Sequence, residues 1–231
     1  MKVAVLQSSY IPWKGYFDII NDVDLFIFYD DVQFTKQDWR SRNRIKTGHG
    51  LAWLTVPVGA DLDRLINEVT IPDARWATKH FKSLSQSYAR APVFADYEPL
   101  LKDIYVDRNW THLSELNQHV IRTIAAEHLG ITTEFRDSRE FAASGHKLDR
   151  LMDLLVKAQA TTYVSGPAAQ AYIDPERFDA AGIELVYKDY LGYPEYEQVH
   201  PPFDHHVSVL DLLFHTGADA VDYIWGWRSR A

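Results

Sequence analysis

The sequence contains no cysteine, so neither a disulfide bond nor a zinc–thiolate site can form. No apolar run approaches the roughly 18–20 residues that a helix needs to cross a bilayer. Nothing at the N-terminus is typical of a signal peptide, because Lys2 is followed by only four apolar residues before Gln7. These absences predict a cytoplasmic protein with no membrane partner.

Basic residues are also in the minority, with 24 Lys and Arg against 32 Asp and Glu and a net charge of −8. This balance argues against a general nucleic-acid binder, which needs a basic field. One segment differs, because KQDWRSRNRIK (36–46) contains five cationic side chains and only one acid. Such a patch suits a small anionic ligand such as a nucleotide. The alternative is a solvated hairpin with scattered charges.

Short apolar runs bounded by turn residues indicate an α/β fold. VAVL (3–6) is typical of a buried strand, GYFDIIN (15–21) of a helix and LFIFY (25–29) of a second strand. Together they have the length of a βαβ unit. Strands and helices continue to alternate, which predicts a single α/β domain over 1–231 with a mostly parallel, Rossmann-like sheet flanked by helices.

Later segments refine this prediction. LAWLTVPV (51–58) is expected to be a third strand and 69–71 a fourth, while helical periodicity over about 76–129 predicts an inserted helical cap. A last helix over 207–216 begins near Ser208. An acid three residues further on gives the spacing of a capping box.

The first candidate site is QSSYIPWKGYF (7–17), a turn between a strand and a helix. Free N–H groups at the helix start and the charge of Lys14 would attract an anion, and Gly15 would allow close contact. Tyr10, Trp13 and Tyr16 would form a platform that stacks on a base or sugar ring. The alternative is a hydrophobic staple that holds the strand to the helix.

The second candidate site is DDVQFTKQDWRSRNRIK (30–46). Asp30 and Asp31 end a strand, where paired carboxylates can bind a metal or act as a base. Turn formation alone would also explain these acids. Cationic and amide donors follow in the same segment, and Arg42 and Lys46 are expected to bind a pyrophosphate near Trp13.

Two further segments carry polar groups. In YVSGPAA (163–169), Ser165 would bind a ligand oxygen or cap a helix, and N–H groups near Gly166 would stabilise an oxyanion. Three histidines at 200, 205 and 206 invite a metal site, but their spacing is poor, so no metal is predicted. His200 and Asp31 are the predicted catalytic bases. The predicted ligand-binding residues are Gln7, Tyr10, Trp13, Lys14, Gly15, Tyr16, Gln33, Arg42, Asn43, Lys46, Ser165, Gly166, Tyr196 and Gln198.

Five ordered motifs in the chain resemble those of the WbqC-like family. They are Q-x-x-Y-x-P-W-x-G-Y-F, D-D-V-Q-F with W-x-x-R-N-x-I-K, Y-x-S-G-P, Y-x-Q-x-H and S-x-x-D-L-L-F-x-x-G, and they run from Val3 to about Gly217. His215 stands where a small polar residue is expected, a minor departure.

The resemblance implies a transferase that modifies a nucleotide-linked amino sugar in bacterial O-antigen (lipopolysaccharide) or other surface-polysaccharide biosynthesis, by acyl or aminoacyl transfer that forms an amide. Its partner would be a small nucleotide or nucleotide-sugar ligand, and a homo-oligomer is compatible with the sequence. One alternative is a nucleotidyltransferase, because W-K-G-Y has the spacing of that class's H-x-G-H signature. Only this alternative would require Mg²⁺, and no other cofactor is predicted. A non-catalytic nucleotide-sugar-binding protein is the other alternative.

Overall fold

The computed structural model describes residues 1–230, with side chains as far as Arg228. Its strands are β1 (Lys2–Leu6), β2 (Leu25–Phe28), β3 (Arg42–Thr47), β4 (Gly50–Thr55), β5 (Glu134–Asp137), β6 (Thr162–Ser165) and β7 (Glu184–Tyr187). Its α-helices are α1 (Lys14–Asn21), α2 (Arg75–Tyr88), α3 (Glu98–Tyr105), α4 (Leu113–Thr123), α5 (Lys147–Lys157), α6 (Pro175–Ala180) and α7 (Val209–Thr216). None of the helices described over 1–230 is both long and apolar enough to cross a membrane.

Five strands form one parallel sheet in the order β5-β2-β1-β6-β7, and β3 and β4 form a separate antiparallel hairpin. The predicted α/β class is therefore confirmed. β1 and β2 are continuously apolar because helices cover both faces of the sheet. Val3 and Ile27 pack with residues of α5 and α6, whereas Ala4 and Phe26 pack with residues of α1.

A long insertion separates β2 from β5, its neighbour in the sheet. It contains the β3–β4 hairpin and the three helices α2, α3 and α4, so the predicted helical region over about 76–129 is present. Apolar side chains of these helices, such as Leu84 and Ile121, belong to the same core cluster as Phe17 of α1. The insertion is therefore packed against one face of the sheet by a continuous apolar core.

Three local predictions were wrong. Strand β3 was missed, because its polar residues hide the alternation that places Asn43 and Ile45 inside. Residues 69–71 form only an isolated bridge, Thr70 to His112. The start of α7 is capped by the Ser208 hydroxyl, but the Asp211 carboxylate does not complete a capping box because it binds other side chains.

Candidate functional site

The strand order creates a crevice at one edge of the parallel sheet. β1 lies between β2 and β6, so the chain leaves β1 towards one side of the sheet and later returns to the other. Ligands of open parallel sheets bind at such a switch point, outside the carboxyl ends of the strands. The loops after β1 (7–13), β2 (29–41) and β6 (from 166) begin there, and we call this region the carboxyl edge.

Two of the three rings expected to form the stacking platform are in the core instead. Tyr10 is fully buried, and its hydroxyl lies 2.8 Å from Nδ1 of His80 and 2.7 Å from the hydroxyl of Tyr105. Burial lowers the pKa of His80 to about 4, so this imidazole is neutral at pH 7. Tyr16 is also buried and donates to the carbonyl oxygen of Gln7 at 3.0 Å. These rings stabilise the fold and are closed to a ligand.

Trp13 remains at the carboxyl edge as a half-buried ring. Its indole packs edge-on against Tyr190, with centroids 5.1 Å apart, and lies nearly parallel to His206 at 6.3 Å. A Cβ atom on Gly15 would lie 2.6 Å from Cε2 and 2.7 Å from Cη2 of the same indole. The close contact that Gly15 permits is therefore made by Trp13 itself.

This contact makes Gly15→Ala a sensitive test of the Trp13 position. The added methyl group overlaps the indole, so we expect an overpacking cost of about 1–3 kcal/mol. A gain of about 1 kcal/mol in helix propensity partly offsets it. In a Trp13→Ala background only that gain remains, so there the substitution should stabilise the protein. Urea unfolding of the four proteins measures both effects, and the same sign in both backgrounds would contradict the contact.

Asn43 holds the loop after β1 from below and is itself buried. Its Nδ2 donates to the carbonyl oxygens of Tyr10 at 3.1 Å and Ile11 at 2.9 Å, and its Oδ1 accepts from the N–H of Arg44. Ile11 has a φ of 35°, a left-handed conformation that β-branched residues rarely adopt. The Asn43 amide therefore fixes a strained turn and positions the site, in place of the expected ligand contact.

Lys14 lies in the first turn of α1 and is only 3% exposed. Its Nζ is 3.4 Å from the carbonyl oxygen of Pro194 and 4.7 Å from the ring centroid of Tyr193. Burial lowers the pKa of Lys14 to about 8, although the carboxylates of Asp18 and Asp211 oppose this shift. The amine is thus a cation held inside the protein and close to its neutral form.

Asp18, also on α1, is fully buried and accepts hydrogen bonds from three side chains. Lys188 Nζ lies 2.7 Å from Oδ1, and the Tyr193 hydroxyl donates to Oδ2. The guanidinium of Arg228 binds both oxygens, at 2.9 and 2.7 Å. This network draws the C-terminal segment and the loop after β7 onto α1 beside Trp13.

The two acids after β2 are both occupied by protein donors. Asp30 is fully buried and accepts from the N–H of Ser8 at 2.8 Å and from Nε2 of Gln118 at 3.0 Å. Asp31 forms an ion pair with Arg150. Their role in the structure is to tie the carboxyl ends of β1 and β2 to α4 and α5.

An arginine row with exposed tryptophans lies on the outer face of the β3–β4 hairpin. The guanidinium carbons of Arg42 and Arg44 lie 4.2 and 5.6 Å from the ring centroid of Trp53. Neither arginine joins the ion pairs that other arginines form within the described chain. Trp39 packs against Trp53 with centroids 5.5 Å apart. We call Trp39, Arg40, Arg42, Arg44 and Trp53 the Arg–Trp face.

The Arg–Trp face borders the carboxyl edge. The N–H of Tyr10 donates to the carbonyl oxygen of Trp39 at 2.9 Å, and Nη1 of Arg40 donates to the Ser9 hydroxyl at 3.0 Å. A cavity of about 310 Å³ opens beside Arg42 and is lined on its other side by residues 56–59. Trp13 does not line this cavity, so the expected meeting of Trp13 with Arg42 in one pocket is not seen there.

Other predicted ligand residues are engaged elsewhere. Gln33 is exposed and its Nε2 lies 3.3 Å from the carbonyl oxygen of Leu62. Ser165 is buried and its hydroxyl lies 3.4 Å from that of Tyr163. It caps no helix, because the short 3₁₀ turn that follows begins at Gly166 with no side-chain cap.

His200 and Lys46 lie near the far end of the hairpin. Nε2 of His200 is 2.9 Å from the carbonyl oxygen of Ser87, and the ring lies beside Gly48. Lys46 is buried, and its backbone N–H donates to the Tyr88 hydroxyl at 2.9 Å. No carboxylate pairs with Lys46 among the ion pairs of the described residues.

The predicted ligands Tyr196 and Gln198 instead hold a buried acid. The Tyr196 hydroxyl and Nε2 of Gln198 both donate to Oδ1 of Asp211 at 2.8 Å, and the Tyr88 hydroxyl donates to its Oδ2. Over residues 1–230, no group of three or more His, Cys, Asp or Glu side chains is arranged to hold a metal ion.

The comparisons with known proteins agree with the motifs. The model of the WbqC-like protein family matches residues 7–223, and the chain belongs to that family. It is 45% identical over 225 residues to an uncharacterized protein of Mycobacterium tuberculosis, Rv1507c, covering 96% of this chain and 97% of the relative. No solved structure matches the chain. Family membership is consistent with surface-polysaccharide biosynthesis and does not by itself assign a reaction.

Proposed function

We propose that the protein is a transferase that acts on a nucleotide-linked amino sugar in bacterial surface-polysaccharide biosynthesis and forms an amide on it. The observation that carries this proposal is the pair Arg42 and Arg44, which lack carboxylate partners in a chain with a net charge of −8. Unpaired guanidinium groups beside a sheet switch point favour a diphosphate ligand, since they match its geometry and charge.

The same hairpin leads from the arginines to the predicted base. His200 lies beside Gly48, six residues beyond Arg42 along the hairpin, or roughly 20 Å at the rise of a β-strand. That separation is comparable with the length of an extended nucleotide sugar. A phosphate bound at Arg42 would therefore leave the sugar free to reach towards His200.

In the proposed step, the sugar amine attacks the carbonyl carbon of an activated acyl donor and the donor's leaving group departs. The proton lost by the amine passes to His200. An Nε2–H bond to the Ser87 carbonyl oxygen would leave Nδ1 as the free acceptor. Asp31 is the weaker of the two predicted bases, because Arg150 already binds its carboxylate.

Thermal-shift screening of nucleotides and nucleotide-linked sugars tests the ligand class, since a bound ligand raises apparent stability by mass action. Mass spectrometry of reactions with acyl donors then tests transfer. His200→Ala should lower turnover by about 10²–10⁴-fold while leaving nucleotide-sugar affinity nearly unchanged. Binding without any product would indicate a non-catalytic binding protein, and release of diphosphate from a nucleoside triphosphate would indicate nucleotidyl transfer.

A further inference from the structure

The tryptophans of the Arg–Trp face are unusually open. Trp39 and Trp53 are 44% and 46% exposed, although large aromatic rings are normally well buried. On β4 the neighbouring Leu54 points into the core, so alternation directs Trp53 outward. The two indoles are tilted by 39° to each other and leave ring surface available to a ligand.

The arginines of the same face have unmet hydrogen-bonding capacity. The Nε atoms of Arg40, Arg42 and Arg44 are buried without a hydrogen-bond partner. Arg44 lies between the rings of Trp39 and Trp53, 5.7 and 5.6 Å from their centroids. Cations and π-surfaces therefore alternate within one patch, the combination that binds bases together with phosphates.

The position of the patch restricts what it can bind. Its Trp39 and Arg40 are hydrogen-bonded to the loop after β1, so a ligand on the patch lies at the rim of the carboxyl edge. The adjoining cavity of about 310 Å³ has Arg42 and Lys36 in its wall. A cavity of that size is at the lower end of small-molecule sites, which suits one nucleotide moiety.

We propose that the Arg–Trp face is a nucleotide subsite, in which Trp39 and Trp53 stack on the base and Arg42 and Arg44 bind the diphosphate. This inference rests on the proposed function for the identity of the whole ligand, but it concerns binding alone. It moves the stacking platform from the loop after β1, where Tyr10 and Tyr16 are buried, to the hairpin.

Equilibrium titration of the full chain with ADP, GDP, UDP, CDP and inorganic diphosphate tests the subsite without any acyl donor. At least one nucleoside diphosphate should bind more tightly than inorganic diphosphate. Trp39→Ala and Trp53→Ala should each weaken that nucleotide by roughly 5- to 150-fold and leave inorganic diphosphate unchanged, because stacking involves only the base. Arg42→Gln and Arg44→Gln should weaken both ligands.

Two matched variants control the test. Trp53→Phe keeps an aromatic face and should retain most of the affinity, whereas Tyr172→Ala removes an aromatic side chain that is 71% exposed outside the patch and should change nothing. Since Trp39 and Trp53 are half exposed, their variants should fold, which circular dichroism and thermal unfolding will check.

The subsite is wrong if no nucleoside diphosphate binds more tightly than inorganic diphosphate, or if the tryptophan variants weaken both ligands equally. It is also wrong if the patch binds phosphatidylglycerol vesicles but no nucleotide. Base-dependent binding without any acyl transfer would support the subsite and contradict the proposed transferase, so the two failures are distinguishable.

Discussion

Asp18→Asn is expected to lower the free energy of unfolding by about 3–5 kcal/mol, the cost of leaving buried charges without their partner. The Asp18 carboxylate is fully buried, and it neutralises both Lys188 and Arg228. Asparagine has nearly the same shape but no charge, and its NH₂ group would face these donors. Urea unfolding at pH 7 measures the loss.

Asp153→Asn is the matched control, because Asp153 pairs with Lys157 at 2.9 Å where both side chains are about a third exposed. Such surface pairs contribute about 0–1 kcal/mol. An Asp18→Asn loss no larger than this control would show that water, not the carboxylate, solvates Lys188 and Arg228. Adding Lys188→Met to an Asp18→Leu variant should recover part of the stability, since two apolar groups then replace the pair.

The buried amine of Lys14 predicts a pH dependence of stability with an unusual direction. Its pKa falls from 10.5 to about 8 on folding, so between these pH values the unfolded chain keeps a proton that the folded chain has lost. Stability therefore rises with pH in this window. At 1.36 kcal/mol per pH unit, the contribution of Lys14 should grow by about 2 kcal/mol from pH 7 to pH 9.5.

Lys14→Met isolates this contribution, because every other group titrates in both proteins. The difference in unfolding free energy, wild type minus variant, should rise by that amount over the same pH range. Lys157→Met, at a half-exposed lysine, should give a difference that does not change with pH. A constant difference for Lys14→Met would mean that water reaches the amine and that its pKa is ordinary.

The sequence was sufficient for the α/β class because β1, β2 and α1 are strongly patterned. VAVL and LFIF are continuous apolar runs, as expected of strands covered on both faces. The hairpin was harder to predict, because RNRIKT shows only two inward side chains, Asn43 and Ile45. The position of β6 beside β1 depends on contacts between distant residues, which local pattern does not encode.

Prediction of the site depended on the difference between residue type and burial. Tyr10, Tyr16 and Asn43 are residue types that often bind ligands, but here the loop after β1 turns them inward, where they are hydrogen-bonded. The basic patch over 36–46 was visible from charge alone. Trp39 and Trp53 were not singled out, because only the pairing of β3 with β4 places Trp53 opposite Arg44.

The central position of β1 also has a consequence for synthesis on the ribosome. β1 begins at residue 2, but the strand that completes its second side begins at Thr162. At a translation rate of about 5–20 residues per second, the nascent chain waits roughly 8–30 s before that strand emerges. A fragment that stops before Thr162 would keep one backbone edge of β1 unpaired, so N-terminal fragments should aggregate when expressed alone.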